Sequence, residues 1–357
     1  MLIVSKNSTD KKHYLKKSYI FAVTVPVMHT VRSAFGSFFF IPMPNKPAYS
    51  LSEQITLLKS RGMLFKNEID AVSYLKNISY YRLKGYWWDL QVDKINHQFE
   101  NNVYFEDVIE RYNFDKELRI ILFNAIELIE ISLRTKMIYH LSLAYGGLWY
   151  KNEKLFEKVP LKLKDGTQTS VYDYTISELR KEFNRSQEIF VQDHKKRYPN
   201  QDADAWKLLE VASLGTLSKL FKNLKHQLPE KSTISKEMGL NLHSELSSWL
   251  EAITYVRNII AHHSRLWSKN MVKTPIFNIK NPIGIWFQNP ITPVQLKKPF
   301  IIISCLVYQC KIIDKNNRIQ KDMLDLFSRY PSISIYKLGF LNYWDKEPIW
   351  KKNGKTT

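Results

Sequence analysis

Cysteine, glycine and proline are scarce in this sequence of 357 residues, which contains 2, 11 and 14 of them, respectively. The two cysteines, Cys305 and Cys310, are five positions apart, a spacing that matches no zinc or redox motif. We therefore expect buried thiols in a protein of the reducing cytoplasm. Because turn-forming residues are few and β-branched alternation is rare, a turn-rich β fold is excluded and an all-α fold is favoured.

Long hydrophobic runs are also lacking. Two apolar runs, at residues 19–28 and 34–43, are each much shorter than the roughly 20 residues that a membrane-spanning helix needs. Pro26 interrupts the first run, and no clear signal-peptide cleavage site follows it. We therefore expect neither export nor stable membrane insertion.

The pattern of a folded domain begins only near Lys46. We interpret residues 1–45 as an unstructured extension, or as sequence that precedes the true start of the protein, for which Met43 is a natural candidate. Residues 46–350 then form the domain, and residues 351–357 form a basic tail.

Acidic residues are too few to balance the basic ones. The chain has 53 Lys and Arg against 34 Asp and Glu, which gives a formal net charge of +19 and a pI near 9.6. Such an excess indicates a polyanionic partner, either nucleic acid or an acidic membrane surface, and we favour nucleic acid. The alternative is that the charge only keeps the protein soluble.

Hydrophobic periodicity predicts helices over most of the domain. We expect a helical bundle with additional helices and a small hairpin or loop insertion at residues 161–167, where Asp165-Gly166 is the turn signal. The predicted helices cover residues 52–59, 68–77, 114–144, 176–198, 206–225, 244–265, 300–314 and 317–329.

Basic and aromatic residues alternate in the segment from Tyr80 to Trp88. Such a segment can stack nucleobases and bind RNA. It can equally form a packed helix face over which Lys and Arg extend to solvent. The candidate RNA-binding residues are Tyr80, Tyr81, Arg82, Lys84 and Tyr86.

Three charged residues interrupt the apolar pattern of the longest predicted helix. Glu127, Glu130 and Arg134 share one face, and their neighbours are apolar, so this face is expected to be partly buried. Buried carboxylates need partners, and Arg257 is one candidate.

The densest chemistry lies at the end of the helix predicted over 244–265, in the sequence RNIIAHHSR that runs from Arg257 to Arg265. At 100° per residue, Asn258, His262 and Arg265 fall together beside the apolar stripe, and His263 lies nearer the apolar side. Arg257 projects toward the apolar edge, where an unpaired charge is costly. A basic cap at the helix C-terminus is the simplest explanation.

The sharper interpretation is RNA cleavage without a metal or cofactor. A histidine can move the protons of the 2′-hydroxyl and the leaving 5′-oxygen, and an arginine can stabilise the charge on phosphorus. Adjacent His262 and His263 lack metal-ligand spacing, and Asp193-His194 lacks the further ligands of a metal phosphohydrolase. Acid–base transfer needs two proton-handling groups, so we expect a homodimer.

Several segments resemble the Abi-like (AbiD/AbiF) abortive-infection family within the HEPN superfamily. Arg257-x4-His262 fits the R-x(4–6)-H ribonuclease motif of that superfamily, and the resemblance covers roughly residues 46–350. The other segments are Ser52 to Gly62, Ile78 to Tyr86, Glu130 to Thr135, Trp206 to Leu220 and Leu338 to Trp344.

The resemblance implies an all-α HEPN core, dimerisation through the motif helix and a metal-independent endoribonuclease toxin that acts against phage. Arg257 and His262 would be catalytic. The supporting residues would be Asn258, His263, Arg265, Glu130 and Arg134.

Two alternatives remain open at the level of sequence. The first is a non-catalytic RNA-binding protein held by a structured RNA, a partner that the resemblance also makes plausible because type VI CRISPR effectors carry related HEPN units. The second is a peripheral membrane-acting toxin, suggested by the N-terminal apolar runs and the positive charge.

Overall fold

The computed structural model describes residues 29–32, 38–41, 47–277 and 282–351. The chain divides into two compact units, Met1–Gln54 and Ile55–Thr357. The interpretation of residues 1–45 falls mostly outside the described residues, as does the predicted basic tail beyond Lys351. Both stay predictions.

α-Helices make up more than half of the residues that the structure describes, which confirms the predicted mostly-α fold. None of the helices in the described ranges combines the length and the apolarity that a membrane crossing requires. The helices of the described residues are α1 (Leu51–Ser60), α2 (Glu68–Asn77), α3 (Tyr80–Trp87), α4 (Phe105–Tyr145), α5 (Val171–Arg185), α6 (Ile189–Arg197), α7 (Ala205–Leu208), α8 (Leu214–Asn223), α9 (Pro229–Glu237), α10 (His243–Ala261), α11 (Pro293–Leu296), α12 (Pro299–Ile313) and α13 (Ile319–Arg329).

The strands of the described residues form only two-stranded antiparallel sheets. The sheet at residues 160–170 is the predicted hairpin insertion, and Gly166 supplies the positive φ of its turn, +91°. The paired strands are β1 (His29–Arg32) with β2 (Phe38–Ile41), β3 (Gln91–Asp93) with β4 (Gln98–Phe99), and β5 (Pro160–Lys162) with β6 (Gln168–Ser170).

The 41-residue helix α4 is the centre of the second unit. At 1.5 Å per residue it is roughly 60 Å long, and α3, α8, α9, α10, α12 and α13 contact it. On α12, every residue from 299 to 310 is buried. Cys305 and Cys310 are among them as free thiols, as predicted, and burial raises the pKa of Cys310 to about 12.

The start of α4 was predicted nine residues too late. Asp107 accepts a hydrogen bond from the backbone N–H of Tyr104 at 3.1 Å, so that the helix begins at Phe105. Tyr104 is an uncommon N-cap residue, which is why the sequence pattern did not reveal this start.

Two helices predicted as continuous are broken. The stretch over 176–198 divides into α5 and α6, and the stretch over 206–225 divides before α8. Ser213 caps α8 by accepting from the Thr216 N–H, and the buried Glu182 carboxylate accepts from the Ser213 N–H at 3.2 Å. A Cβ at Gly215 would lie 3.6 Å from the Thr254 methyl, an ordinary van der Waals contact, so the packing of α8 against α10 does not require glycine there.

Candidate active site at the end of the long motif helix

Helix α10 positions the candidate catalytic residues. Its predicted apolar stripe is buried. Arg257 is half-buried at the edge of this stripe, whereas Asn258 and His262 are exposed. The Arg257 guanidinium lies 3.4 Å from the Asn258 side-chain oxygen. The buried stripe includes Leu246, Trp249, Leu250, Ile253, Val256 and Ile260.

The helix ends at Ala261, four residues before the predicted end. Ser264 N–H donates to the Ile259 carbonyl and His263 N–H to the Ile260 carbonyl, both at 2.8 Å. This pair of bonds is a Schellman motif, which places its C′ residue in the left-handed region. That residue is His263, with φ +53°. Glycine is usual at this position, so the sequence lacked the ordinary stop signal.

The buried Asp115 fixes the chain just beyond the helix. Its carboxylate accepts hydrogen bonds from the backbone N–H groups of Leu266 at 3.1 Å and Trp267 at 2.8 Å. It also accepts from the Tyr86 hydroxyl at 2.7 Å and from Arg119. Burial raises the pKa of Asp115, and these donors oppose the rise by favouring the charged form. This arrangement, called here the Asp115 anchor, therefore holds the end of the motif against α3 and α4.

Arg265 does not lie beside Asn258 and His262 as predicted. Because the helix has already ended, the Arg265 guanidinium turns toward α3, where it lies 6.0 Å from the centre of the Tyr86 ring and donates to the Trp267 carbonyl. Gly85 permits this approach, since a Cβ there would lie 3.1 Å from the Arg265 Nε. Arg265 is therefore a packing residue of this segment.

A cleft of about 360 Å³ opens beside Arg257. Glu130 lies in it, 3.1 Å from the Arg134 guanidinium, and Arg134 also donates to the Ala212 carbonyl at 2.9 Å. Burial raises the pKa of Glu130, while the charges of Arg134 and Arg257 and the Leu214 N–H oppose the rise. Glu130 thus shares the cleft with Arg257 but forms its ion pair with Arg134, so the expectation that Arg257 partners these carboxylates stays a prediction. The cleft is lined by Phe123, Ile126, Glu127, Glu130, Ile131, Arg134 and Arg257.

The cleft and the Asp115 anchor are the two parts of the candidate site. The cleft lies where α4 meets the last turn of α10, and the anchor fixes the chain beyond that turn. A family model described as Abi-like protein matches residues 73–268, more than half of the chain, and this range includes both parts. The chain belongs to the Abi-like protein family. No curated protein and no solved structure matches it.

In this Abi-like protein the segment from Tyr80 to Trp88 contains both packed and exposed side chains. Tyr86 is buried, Tyr80 accepts a hydrogen bond from Arg61 at 2.7 Å, and Arg82 donates to the His263 carbonyl. These three side chains are therefore structural. Tyr81 is exposed, and the ammonium of Lys84 lies 6.0 Å from the centre of its ring.

The Asp193-His194 pair of the Abi-like protein is occupied by local contacts. Asp193 pairs with Arg197 at 2.7 Å, and the His194 Nε2 lies 3.2 Å from the Gln201 carbonyl. The described ranges contain no group of three or more His, Cys, Asp or Glu side chains that could hold a metal ion.

Sequence reasoning missed the Asp115 anchor of the Abi-like protein. Asp115 and Arg119 stand four residues apart on a helix, a spacing that is ordinarily a solvent-exposed ion pair. The only signal was position, because Asp115 directly follows Phe114 and Arg119 directly follows Leu118, two apolar residues of the periodic pattern.

Proposed function

We propose that this Abi-like protein is a metal-independent endoribonuclease of an abortive-infection defence against phage. The observation that carries the proposal is the last turn of α10, where Arg257 borders a charged cleft and His262 is exposed one helical turn later. The net charge of +19 suits an RNA substrate.

The proposed reaction is transfer of the phosphodiester to the neighbouring 2′-oxygen. A neutral imidazole takes the proton of the 2′-hydroxyl, the 2′-oxygen bonds to phosphorus, and the bond to the 5′-oxygen breaks. A protonated imidazole donates a proton to that 5′-oxygen. The products are a 2′,3′-cyclic phosphate and a free 5′-hydroxyl. Arg257 stabilises the negative charge on the phosphoryl oxygens, and the negative charge of Glu130 in the same cleft attracts its guanidinium.

A second copy of the chain supplies the second imidazole. Each chain has one His262 directly after α10, and two proton transfers are required. His263 was predicted nearer the apolar side and is instead exposed, but it lies in the left-handed turn beyond the helix. An exposed band on α4, called here the α4 stripe, extends into the cleft beside Arg257. It is defined by Ile120, Phe123, Glu127 and Ile131, and the last three line the cleft. Its three apolar side chains are 44–54% exposed. Packing of this stripe against its copy would bring two motif helices to one composite site.

Cleavage of RNA by the purified protein in excess EDTA tests the proposal. Wild type is expected to leave 2′,3′-cyclic phosphate ends, and Arg257→Ala and His262→Ala are each expected to lose about 100-fold or more of the rate. Matched controls are Arg185→Ala, in the last turn of α5, and His226→Ala, which is exposed; both should cleave like wild type. Cleavage that requires a divalent metal, or that survives both motif substitutions, would contradict the proposal.

The same experiment separates the second candidate function, RNA binding without cleavage. The positive charge and the basic and aromatic segment from Tyr80 to Trp88 favour it. The binding function would be favoured over the endoribonuclease if salt-sensitive RNA binding persists in His262→Ala and the RNA stays intact under every condition.

A further inference from the structure

Helix α3 and the residue that follows it expose two large aromatic side chains, whose rings make edge contacts with Tyr80 and His97. Tyr81 is 75% exposed and Trp88, which directly follows the helix, is 43% exposed. The Lys84 ammonium lies between them, 6.0 Å from the centre of the Tyr81 ring and 5.7 Å from that of Trp88. These three residues, called here the α3 platform, recur at helical spacing and so share one face.

The inner face of the same helix is fixed to the end of the motif helix. Arg82 donates a hydrogen bond to the His263 carbonyl, and Gly85 lies against the Arg265 side chain. Tyr86 reaches the Asp115 anchor. Because α3 spans only two turns, the α3 platform is held rigidly beside the residues that come after His262.

We propose that the α3 platform binds unpaired nucleotides of a single-stranded RNA that extends from the cleavage site. Tyr81 and Trp88 each offer a ring face on which a base stacks. The positive charge of the Lys84 ammonium attracts the phosphate that links the two nucleosides. Stacking of this kind needs bases whose faces are free, which a duplex does not provide. The proposal deepens the proposed function by naming the class of its substrate, and it rests on RNA being that substrate.

Its test is equilibrium binding by the full chain carrying His262→Ala, in EDTA, so that the RNA stays intact. The probes are a short unstructured RNA and a duplex of the same length, and the fluorescence anisotropy of each probe measures its binding. Tyr81→Ala and Trp88→Ala are each expected to weaken binding of the single strand by about 5- to 100-fold, the effect of one stacked base. The affinity of both variants for the duplex should differ little from that of the parent protein.

Two control variants test whether weaker binding comes from misfolding or from a general change of the surface. Tyr81→Phe keeps the ring and should bind like the parent protein. Tyr198→Ala is the matched control, because Tyr198 is also exposed and also has a lysine, Lys207, 5.8 Å from the centre of its ring; it should bind like the parent as well.

The possible outcomes distinguish this proposal from the proposed function. If Tyr81→Ala and Trp88→Ala bind the single strand as tightly as the parent, or if both lose single strand and duplex equally, the α3 platform is refuted, whatever the cleavage assay gives. If the variants lose binding of the single strand only, and wild type does not cleave RNA in EDTA, the α3 platform is supported and the endoribonuclease proposal is refuted.

Discussion

At the scale of the residue, two aspartate–arginine pairs of identical spacing have opposite environments. Asp115 and Arg119 have side chains that are 0% and 6% exposed, whereas Asp193 and Arg197 are 46% and 68% exposed. An exposed pair contributes little to stability. A buried pair that loses one member leaves an uncompensated charge in the core, which is strongly destabilising.

We therefore predict that Asp115→Ala lowers the free energy of unfolding by about 3–5 kcal/mol, because Arg119 and the Leu266 and Trp267 N–H groups lose their partner. Asp193→Ala, the matched control, should change it by no more than about 0.5 kcal/mol. Urea denaturation followed by circular dichroism measures both.

If Asp115→Ala does not fold, Tyr86→Phe probes the same anchor more gently, since it removes only the hydroxyl that donates to Asp115. Its expected cost is about 1–2 kcal/mol. Equal stabilities of the Asp115 and Asp193 variants would mean that the carboxylate of Asp115 does not anchor the chain.

At the scale of the element, the C-terminus of α10 has an unusual residue at its turn. His263 occupies the left-handed position of the Schellman motif, with φ +53°. A side chain with a Cβ has a conformational cost there that glycine does not have. The hydrogen bond from Arg82 goes to the backbone carbonyl of His263 and does not depend on the side chain.

We predict that His263→Gly raises the free energy of unfolding by about 0.5–1 kcal/mol, because it relieves this cost while keeping the turn. Asn258→Gly is the contrasting variant. It places glycine in the helical part of the same last turn, and should lower stability by about 0.5–1 kcal/mol. The two midpoints of urea unfolding should move in opposite directions, and movement in the same direction would show that the turn is not strained.

At the scale of the whole molecule, the unpaired α4 stripe lies beside the proposed catalytic arginine. Apolar side chains scattered singly on a surface are ordinary, but a contiguous band next to a site is typical of an interface. In a twofold dimer the same residues meet their own copies. The proposed composite site would thus depend on the surface of α4 as much as on α10.

We predict that Ile120→Glu converts the protein from a dimer to a monomer and abolishes RNA cleavage, although the residues that line the cleft are unchanged. The physical reason is that two carboxylates would be buried against each other in the interface. Light scattering coupled to gel filtration measures the mass, and the EDTA assay measures cleavage.

Ile189→Glu is the matched control, since Ile189 is 85% exposed at the start of α6 and is absent from the α4 stripe. It should remain dimeric and active. Wild type that is monomeric at the concentrations at which it cleaves RNA would rule out the composite site.

The class of fold, the family and most of the helices could be predicted from the amino-acid sequence alone. The bounds of α2 agree with the prediction residue for residue, and the turn at Gly166 was correctly identified. Periodicity and glycine position depend on nearby residues only, so a single sequence carries them. That Glu130 and Arg257 lie in one cleft agrees with the expectation that a charge at an apolar edge needs a partner, although Glu130 forms its ion pair with Arg134.

Three features became known only from the packed fold. They are the end of α10, the contacts of Arg265 and the burial of Asp115. Each depends on residues far apart in sequence. The Asp115 carboxylate meets Leu266 and Trp267 about 150 positions later, and Arg82 meets His263 181 positions later. No local pattern encodes such contacts. They arise only when α3, α4 and α10 pack together, and it is this packing that gives the candidate site its shape.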